Sequence, residues 1–206
     1  MGTMHRFAIS LLAEKFGLET FIETGTATGE SLAHVAASGV FKRLLSCEIE
    51  PRLAAYAMGK FASNTHVSIT RMDSELFMRL FSQSDLPPAL VFLDAHYPGA
   101  GYGLGDYAGT RKRPEHLLPL RQELICLTAR PPKDVIIIDD LRIYEINDYE
   151  DGPLPDGVYG QPEVNGSSWI VQMFPSHSHV KILKDQGYLV LQPRTMDAPD
   201  ACSFLA

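Results

Sequence analysis

Two apolar runs in this 206-residue chain end in acids, Val91-Phe-Leu-Asp94-Ala-His96 and Val135-Ile-Ile-Ile-Asp139-Asp140. Carboxylates gathered in one partly buried cleft repel one another, and their pKa values rise unless a counter-charge is present. A hard divalent cation with oxygen ligands supplies that charge, so Asp94, Asp139 and Asp140 form a candidate metal set. For one of Asp139 and Asp140 the alternative is a loop cap or an ion pair with Arg142. His96 stands two residues beyond Asp94, where a base for an alcohol nucleophile is wanted; a supporting or structural role is its alternative.

A second cluster begins at Phe21-Ile-Glu-Thr-Gly-Thr-Ala-Thr-Gly-Glu30, an apolar run leading into small residues. Glycines between a strand and a helix let the backbone approach a ligand closely. The next apolar run ends in Cys47-Glu48-Ile49-Glu50, and Glu48 lies 25 residues after Glu23, near the spacing at which a carboxylate grips ribose hydroxyls. Glu50 reads as a solvent-facing or a helix-start charge. A third run ends in Arg71-Met-Asp73-Ser74, where a carboxylate and a hydroxyl could meet a purine amino group, cap the following helix, or do both.

The elements that must position these groups alternate. Strands are expected at Thr20 to Thr24, Leu44 to Glu48, Val67 to Thr70, Ala89 to Asp94 and Asp134 to Asp139, each apolar enough to be covered on both faces. Helices are expected near 4 to 16, 29 to 38, 51 to 62, 74 to 82 and 114 to 129, with Pro51 suited to a first helical turn. Such alternation is the sequence form of an α/β fold with a doubly wound, mostly parallel sheet, in which adjacent strand ends share one crevice. Asp148 to Gly166 reads as a long irregular loop. Strands resume near Trp169, and His179 to Leu183 with Tyr188 to Gln192 forms an antiparallel hairpin around Lys184-Asp-Gln-Gly187. The tail after Pro193 is expected to be weakly ordered.

Glu-Thr-Gly-Thr-Ala-Thr-Gly at 23 to 29, Glu48 and Asp73-Ser74 together resemble the successive cofactor motifs of class I S-adenosylmethionine (SAM) dependent methyltransferases, a likeness spanning most of the chain. The resemblance implies a Rossmann-like fold in which Glu23 reaches the methionine amino group. Thr24, Gly25, Thr26, Ala27, Thr28 and Gly29 pack beneath the nucleoside, Glu48 with Ile49 holds the ribose, and Asp73 with Ser74 meets the adenine, with Asp94 beside them. The acids after the fourth and fifth strands further resemble the metal-dependent sugar O-methyltransferases of macrolide and aminocoumarin pathways, which implies that Asp94, Asp139 and Asp140 bind magnesium or another divalent cation. The chain departs from those enzymes in the long stretch between its acidic motifs and in lacking an equivalent of their helical lid. Leu-Asp-Ala-His-Tyr at 93 to 97, a glycine-rich loop, Glu123-Leu124 and Ile-Asp-Asp-Leu-Arg at 138 to 142 also resemble a large group of methyltransferase-like proteins.

Composition limits the alternatives. A net charge of −7, with Arg111-Lys-Arg113 as its one dense basic cluster, argues against a nucleic-acid surface. That cluster could hold an anionic substrate group, although a solvated charge run is the simpler reading. Three scattered cysteines, Cys47, Cys126 and Cys202, make neither a disulfide framework nor a zinc spacing, and fit a reducing cytoplasm. No stretch has the length of a membrane span. Tyr97 to Tyr107, rich in glycine and tyrosine, suits a substrate lid next to His96. The sequence is therefore expected to form one domain over 1 to 206, taking a small-molecule substrate, with no nucleic-acid or membrane partner and homo-oligomerisation left open. The expected activity is SAM-dependent O-methylation, with Asp94 and His96 as catalytic residues. A SAM-binding protein without catalysis and a nucleotide-dependent oxidoreductase are the alternatives.

Overall fold

A computed structural model of the chain describes residues 4–96, 117–156, 158–194 and 205. The expected lid, the Arg111-Lys-Arg113 cluster, the start of the helix expected from 114, and Cys202 all lie outside the described residues. Seven strands form one sheet in the order β3-β2-β1-β4-β5-β7-β6. Strands β1 (Thr20–Thr24), β2 (Arg43–Glu48), β3 (Val67–Arg71), β4 (Ala89–Leu93) and β5 (Val135–Ile138) run parallel. Strands β6 (His177–Ile182) and β7 (Tyr188–Pro193) close the sheet as an antiparallel hairpin, with β7 paired to β5. The five expected parallel strands and the expected hairpin are present, with ends shifted by no more than two residues.

Burial explains this order. Every residue of β1, β4 and β5 is buried, as continuous apolar runs require when both faces are covered, whereas β3 at the edge is only half-buried. Side chains alternate between the faces. Phe21, Phe92, Val135 and Ile137 pack against α1 (Ile9–Phe16) and α2 (Glu30–Ser38) on one side. Ile22, Cys47, Val91, Ile136 and Ile138 pack on the other side with the buried faces of α4 (Ser74–Ser82) and α5 (Leu120–Leu127), and with Ile170 of α6 (Ser168–Met173). Helix α3 (Pro51–Lys60) begins at Pro51, and Glu50 caps it by accepting from the Arg52 N–H at 3.2 Å. Phe92 is fully buried at the sheet centre, where truncation to alanine costs about 3–5 kcal/mol.

Two expectations need correction. The helix expected over 4 to 16 breaks into a 3-10 turn at Met4–Arg6 and then α1, while Phe7 leaves the helix to bridge Leu205, one of the few tail residues described. Trp169 lies not in a strand but in α6, because burying Ile170 needs only a short helical turn between Gly166 and β6. The described residues between Asp148 and Gly166 form neither a helix nor a strand, apart from an isolated bridge of Glu163 to Glu145, as the composition requires. Among the described residues no helix is long and apolar enough to cross a membrane.

Candidate functional site

The sheet order reverses between β1 and β4, and the register there aligns the strand ends. Thr24 pairs with Leu93 and Leu93 with Ile138, while Asp94 N–H donates to Thr24 O (3.2 Å) and Asp139 N–H to Leu93 O (3.1 Å). This ladder brings the residues after β1, β4 and β5 to one crevice, the usual ligand position in such sheets.

The turn after β1 is held from three sides. Gly25 and Thr26 N–H both donate to Cys47 O at 3.0 Å. Gly25 has φ +80°, and a Cβ there would lie 2.4 Å from Asp94 O, so only glycine lets the β1 and β4 ends meet. Gly29 has φ +74° and heads α2, with Lys60 Nζ clamping the carbonyls of Thr28 (3.0 Å) and Gly29 (3.3 Å). Between them Ala27 sits at φ 46° and donates its N–H to Glu48 Oε2 at 2.8 Å. Glu48 Oε1 accepts from Glu50 N–H, also at 2.8 Å, so its buried carboxylate ties the ends of β1 and β2 together, with half-buried Ile49 beside it.

Glu23 is 2% exposed, and Ser46 Oγ donates to its Oε2 at 2.6 Å, with Thr26 Oγ1 a further 2.6 Å from Ser46 Oγ. Burial raises the Glu23 carboxyl to about 8, against the opposing pull of Ser46. Asp73 caps α4 by accepting from Leu76 N–H at 2.9 Å, and Ser74 is buried at the start of that helix. The capping role open to Asp73 in the sequence is thus realised.

The acids after β4 and β5 divide. One ligand atom each from Asp94, His96 and Asp139 lies within 4.8 Å of the others. Asp140 instead takes Arg142 Nε at 2.9 Å and turns its Oδ2 toward His96 Nε2 at 3.7 Å. It also adopts the left-handed conformation (φ 47°), which costs a non-glycine residue about 1 kcal/mol or more. The Asp139-Asp140 pair therefore separates into a cluster member and a partner of Arg142. Burial raises Asp139 to about 7, aided by the Asp140 charge, and raises Asp94 well above its ordinary value, aided by Asp139. Burial, then the charge of Arg142, lowers His96 to about 4 and leaves it neutral at pH 7. His96 Nδ1 faces Asp94 Oδ1 at 3.5 Å.

This donor set fits a divalent cation. Asp139 Oδ1 is buried without a hydrogen-bond partner, an uncommon state for a native polar atom, and a neutral imidazole beside two carboxylates can coordinate at once. The acids also suit SAM itself, whose sulfonium and ammonium groups are cationic.

Lys60 and Tyr144 carried no motif, and Glu123 carried no site role within the Glu123-Leu124 stretch. Lys60 grips the glycine turn from α3. The Tyr144 phenol, beyond β5, is raised well above its ordinary value by burial and then by Glu123, Asp140, Asp139 and Asp94. Glu123 is 1% exposed, and its signal in the sequence is an acid inside the apolar stripe Leu120, Leu124, Leu127. Burial raises it to about 7 against the Ser74 and Thr24 hydroxyls.

No family model and no curated protein matches the chain. Solved structures do. A Staphylococcus aureus protein provisionally described as a caffeoyl-CoA O-methyltransferase superposes with a TM-score of 0.59 at 14% identity, over 90% of this chain and 81% of that one. TomG, an O-methyltransferase of tomaymycin synthesis from Streptomyces achromogenes solved with SAM, superposes at 0.55 with 16% identity, over 91% and 78%. The Podospora anserina methyltransferase PaMTH1, solved with S-adenosylhomocysteine (SAH), superposes at 0.54 with 14% identity, over 91% and 76%. At these identities the likeness shows the fold, and the chain has the fold of class I SAM-dependent methyltransferases.

Proposed function

We propose that the chain is a SAM-dependent O-methyltransferase for a small hydroxylated acceptor, a sugar or glycosylated metabolite being the class its acids suit, and that a divalent cation assists it. The observation that carries this reading is the Asp94, His96, Asp139 cluster, set at the crevice beside the Gly25 turn with Asp139 Oδ1 unpartnered. The O-methyltransferases among its structural neighbours support the same class.

Methyl transfer is an in-line displacement in which the acceptor oxygen bonds the sulfonium methyl carbon, the C–S bond breaks, and the hydroxyl proton must leave. When bound, SAM supplies the electrophilic methyl and the cation lowers the hydroxyl pKa. Glu23, Thr24, Gly25, Thr26, Ala27, Thr28, Gly29, Glu48, Ile49, Asp73 and Ser74 border the nucleoside, with Asp94 below it. Asp94 and Asp139 would hold the cation, and Asp140 would contribute through His96 and Arg142. Neutral His96 would accept the hydrogen bond of the acceptor hydroxyl and take its proton as the oxygen bonds the methyl carbon, with the Asp94 carboxylate facing its Nδ1 and stabilising the charge it gains.

The test is SAH formation from SAM with Mn2+ or Mg2+ over a panel of sugar and catechol acceptors. Asp139→Asn is expected to lose at least about 100-fold of metal-dependent turnover while binding SAH within a few-fold of the parent. Equal loss of both would remove the metal role.

A further inference from the structure

Among the described residues, two acids carry a buried carboxyl oxygen with no hydrogen-bond partner, Asp139 and Glu123. The cation cluster accounts for Asp139. Glu123 is no member of that cluster; it lies in the first turn of α5 on its apolar face, with the Ser74 hydroxyl at the start of α4 and the Thr24 hydroxyl at the end of β1 on one side. Those two hydroxyls leave Oε1 unused. Leaving a buried acceptor unmet costs about 1–3 kcal/mol, so one kept in a fold calls for an explanation, and a bound ligand is one.

The alternation of the sheet says which part of a nucleoside that would be. Glu23, Ser46 and Glu48 project to the face of α1 and α2, alongside Phe21 and Leu44. Thr24 and Cys47 project to the face of α4 and α5, where Glu123 lies. A nucleoside with its ribose at Glu48 extends its base toward Asp73 and Ser74, and Asp73 Oδ1 is already occupied by Leu76 N–H. The buried acceptor without a partner on that side is Glu123 Oε1, next to the Ser74 hydroxyl.

We propose that Glu123 Oε1 accepts a hydrogen bond from the exocyclic amino group of the bound purine, which makes α5 an element of nucleoside specificity; this rests on the cofactor reading above. A site built to bond an N–H group rejects an analogue lacking it, because its acceptor is then left unmet. The titratable groups facing Glu123 are the Cys47 thiol from β2, the Tyr144 phenol beyond β5 and Cys126 on its own helix.

The experiment is calorimetry of the full chain and of Glu123→Gln and Glu123→Met. The probes are SAH and its hypoxanthine analogue S-inosylhomocysteine, which replaces the amino group by a carbonyl. The parent is expected to prefer SAH by at least about tenfold. Glu123→Met is expected to bring the preference within about threefold, with no loss of melting temperature. A full preference in Glu123→Met overturns the inference. Should Glu123→Met fail to fold, proton release decides: an N–H donated to a carboxyl favours its ionised form, so the parent at pH 7 releases more protons on binding SAH than Glu123→Gln does. Equal release by the two proteins also overturns it. Absence of SAH binding by the parent would instead remove the cofactor reading itself, a separate outcome.

Discussion

The two ends of β5 each carry a buried aspartate, and the pair separates structure from chemistry. Asp134, before the strand, is 3% exposed; its Oδ2 accepts from Arg130 Nε at 2.5 Å, and its Oδ1 accepts from Ala89 N–H at 2.9 Å and from Arg130 Nη2 at 3.2 Å. The Arg130 guanidinium also covers the Phe81 ring and reaches the carbonyls of Ser84, Leu86 and Pro87. Asp139, just beyond the same strand, is 2% exposed, lacks a partner on Oδ1 and has Asp94 and Asp140 for neighbours. One acid has both oxygens met by donors of the protein, while the other keeps a buried Oδ1 without one.

The comparison is broken most strongly at the satisfied end. Arg130→Ala leaves Asp134 buried without its counter-charge and should cost about 3–5 kcal/mol in denaturant unfolding. A loss below about 1 kcal/mol would show that Asp134 finds water or other donors.

At the other end the sign reverses. Asp139 ionises near 7 in the fold and near 3.8 when unfolded, so the native state holds the extra proton and stability falls as pH rises from about 4 to about 7. Each pH unit in that window is worth up to about 1.4 kcal/mol for one carboxyl. His96 acts oppositely, losing stability as pH falls from 6.5 toward about 4, so the informative quantity is the difference between parent and variant. Asp139→Asn should gain about 1 kcal/mol or more at pH 8 without metal and nothing at pH 4, measured by denaturation across pH. A destabilised Asp139→Asn at pH 8 would mean that the carboxylate is already paired.

The smallest effect belongs to an exposed pair. Lys42 Nζ meets Glu19 Oε2 at 2.6 Å, but Lys42 is 73% exposed, and Lys42→Ala should change stability by less than about 0.5 kcal/mol.

The same contrast marks what the sequence could show. Apolar runs locate all five parallel strands because strands covered on both faces need unbroken hydrophobic stretches. The acids at their ends follow from the sheet register. Trp169 misleads because a short apolar run serves a helical turn as well as a strand. The division of Asp139 from Asp140 depends on the left-handed backbone of Asp140 and on Arg142 reaching back to it, neither of which spacing encodes. Glu123 and Lys60 enter the site through packing between elements distant in the chain.

The central claim is that the crevice above Gly25 holds SAM, and calorimetry with SAH, in Mn2+ and in chelator, tests it directly. Micromolar binding in both conditions, tighter with the metal, is the expected result. No detectable binding in either would contradict the methyltransferase reading and leave the fold without its cofactor.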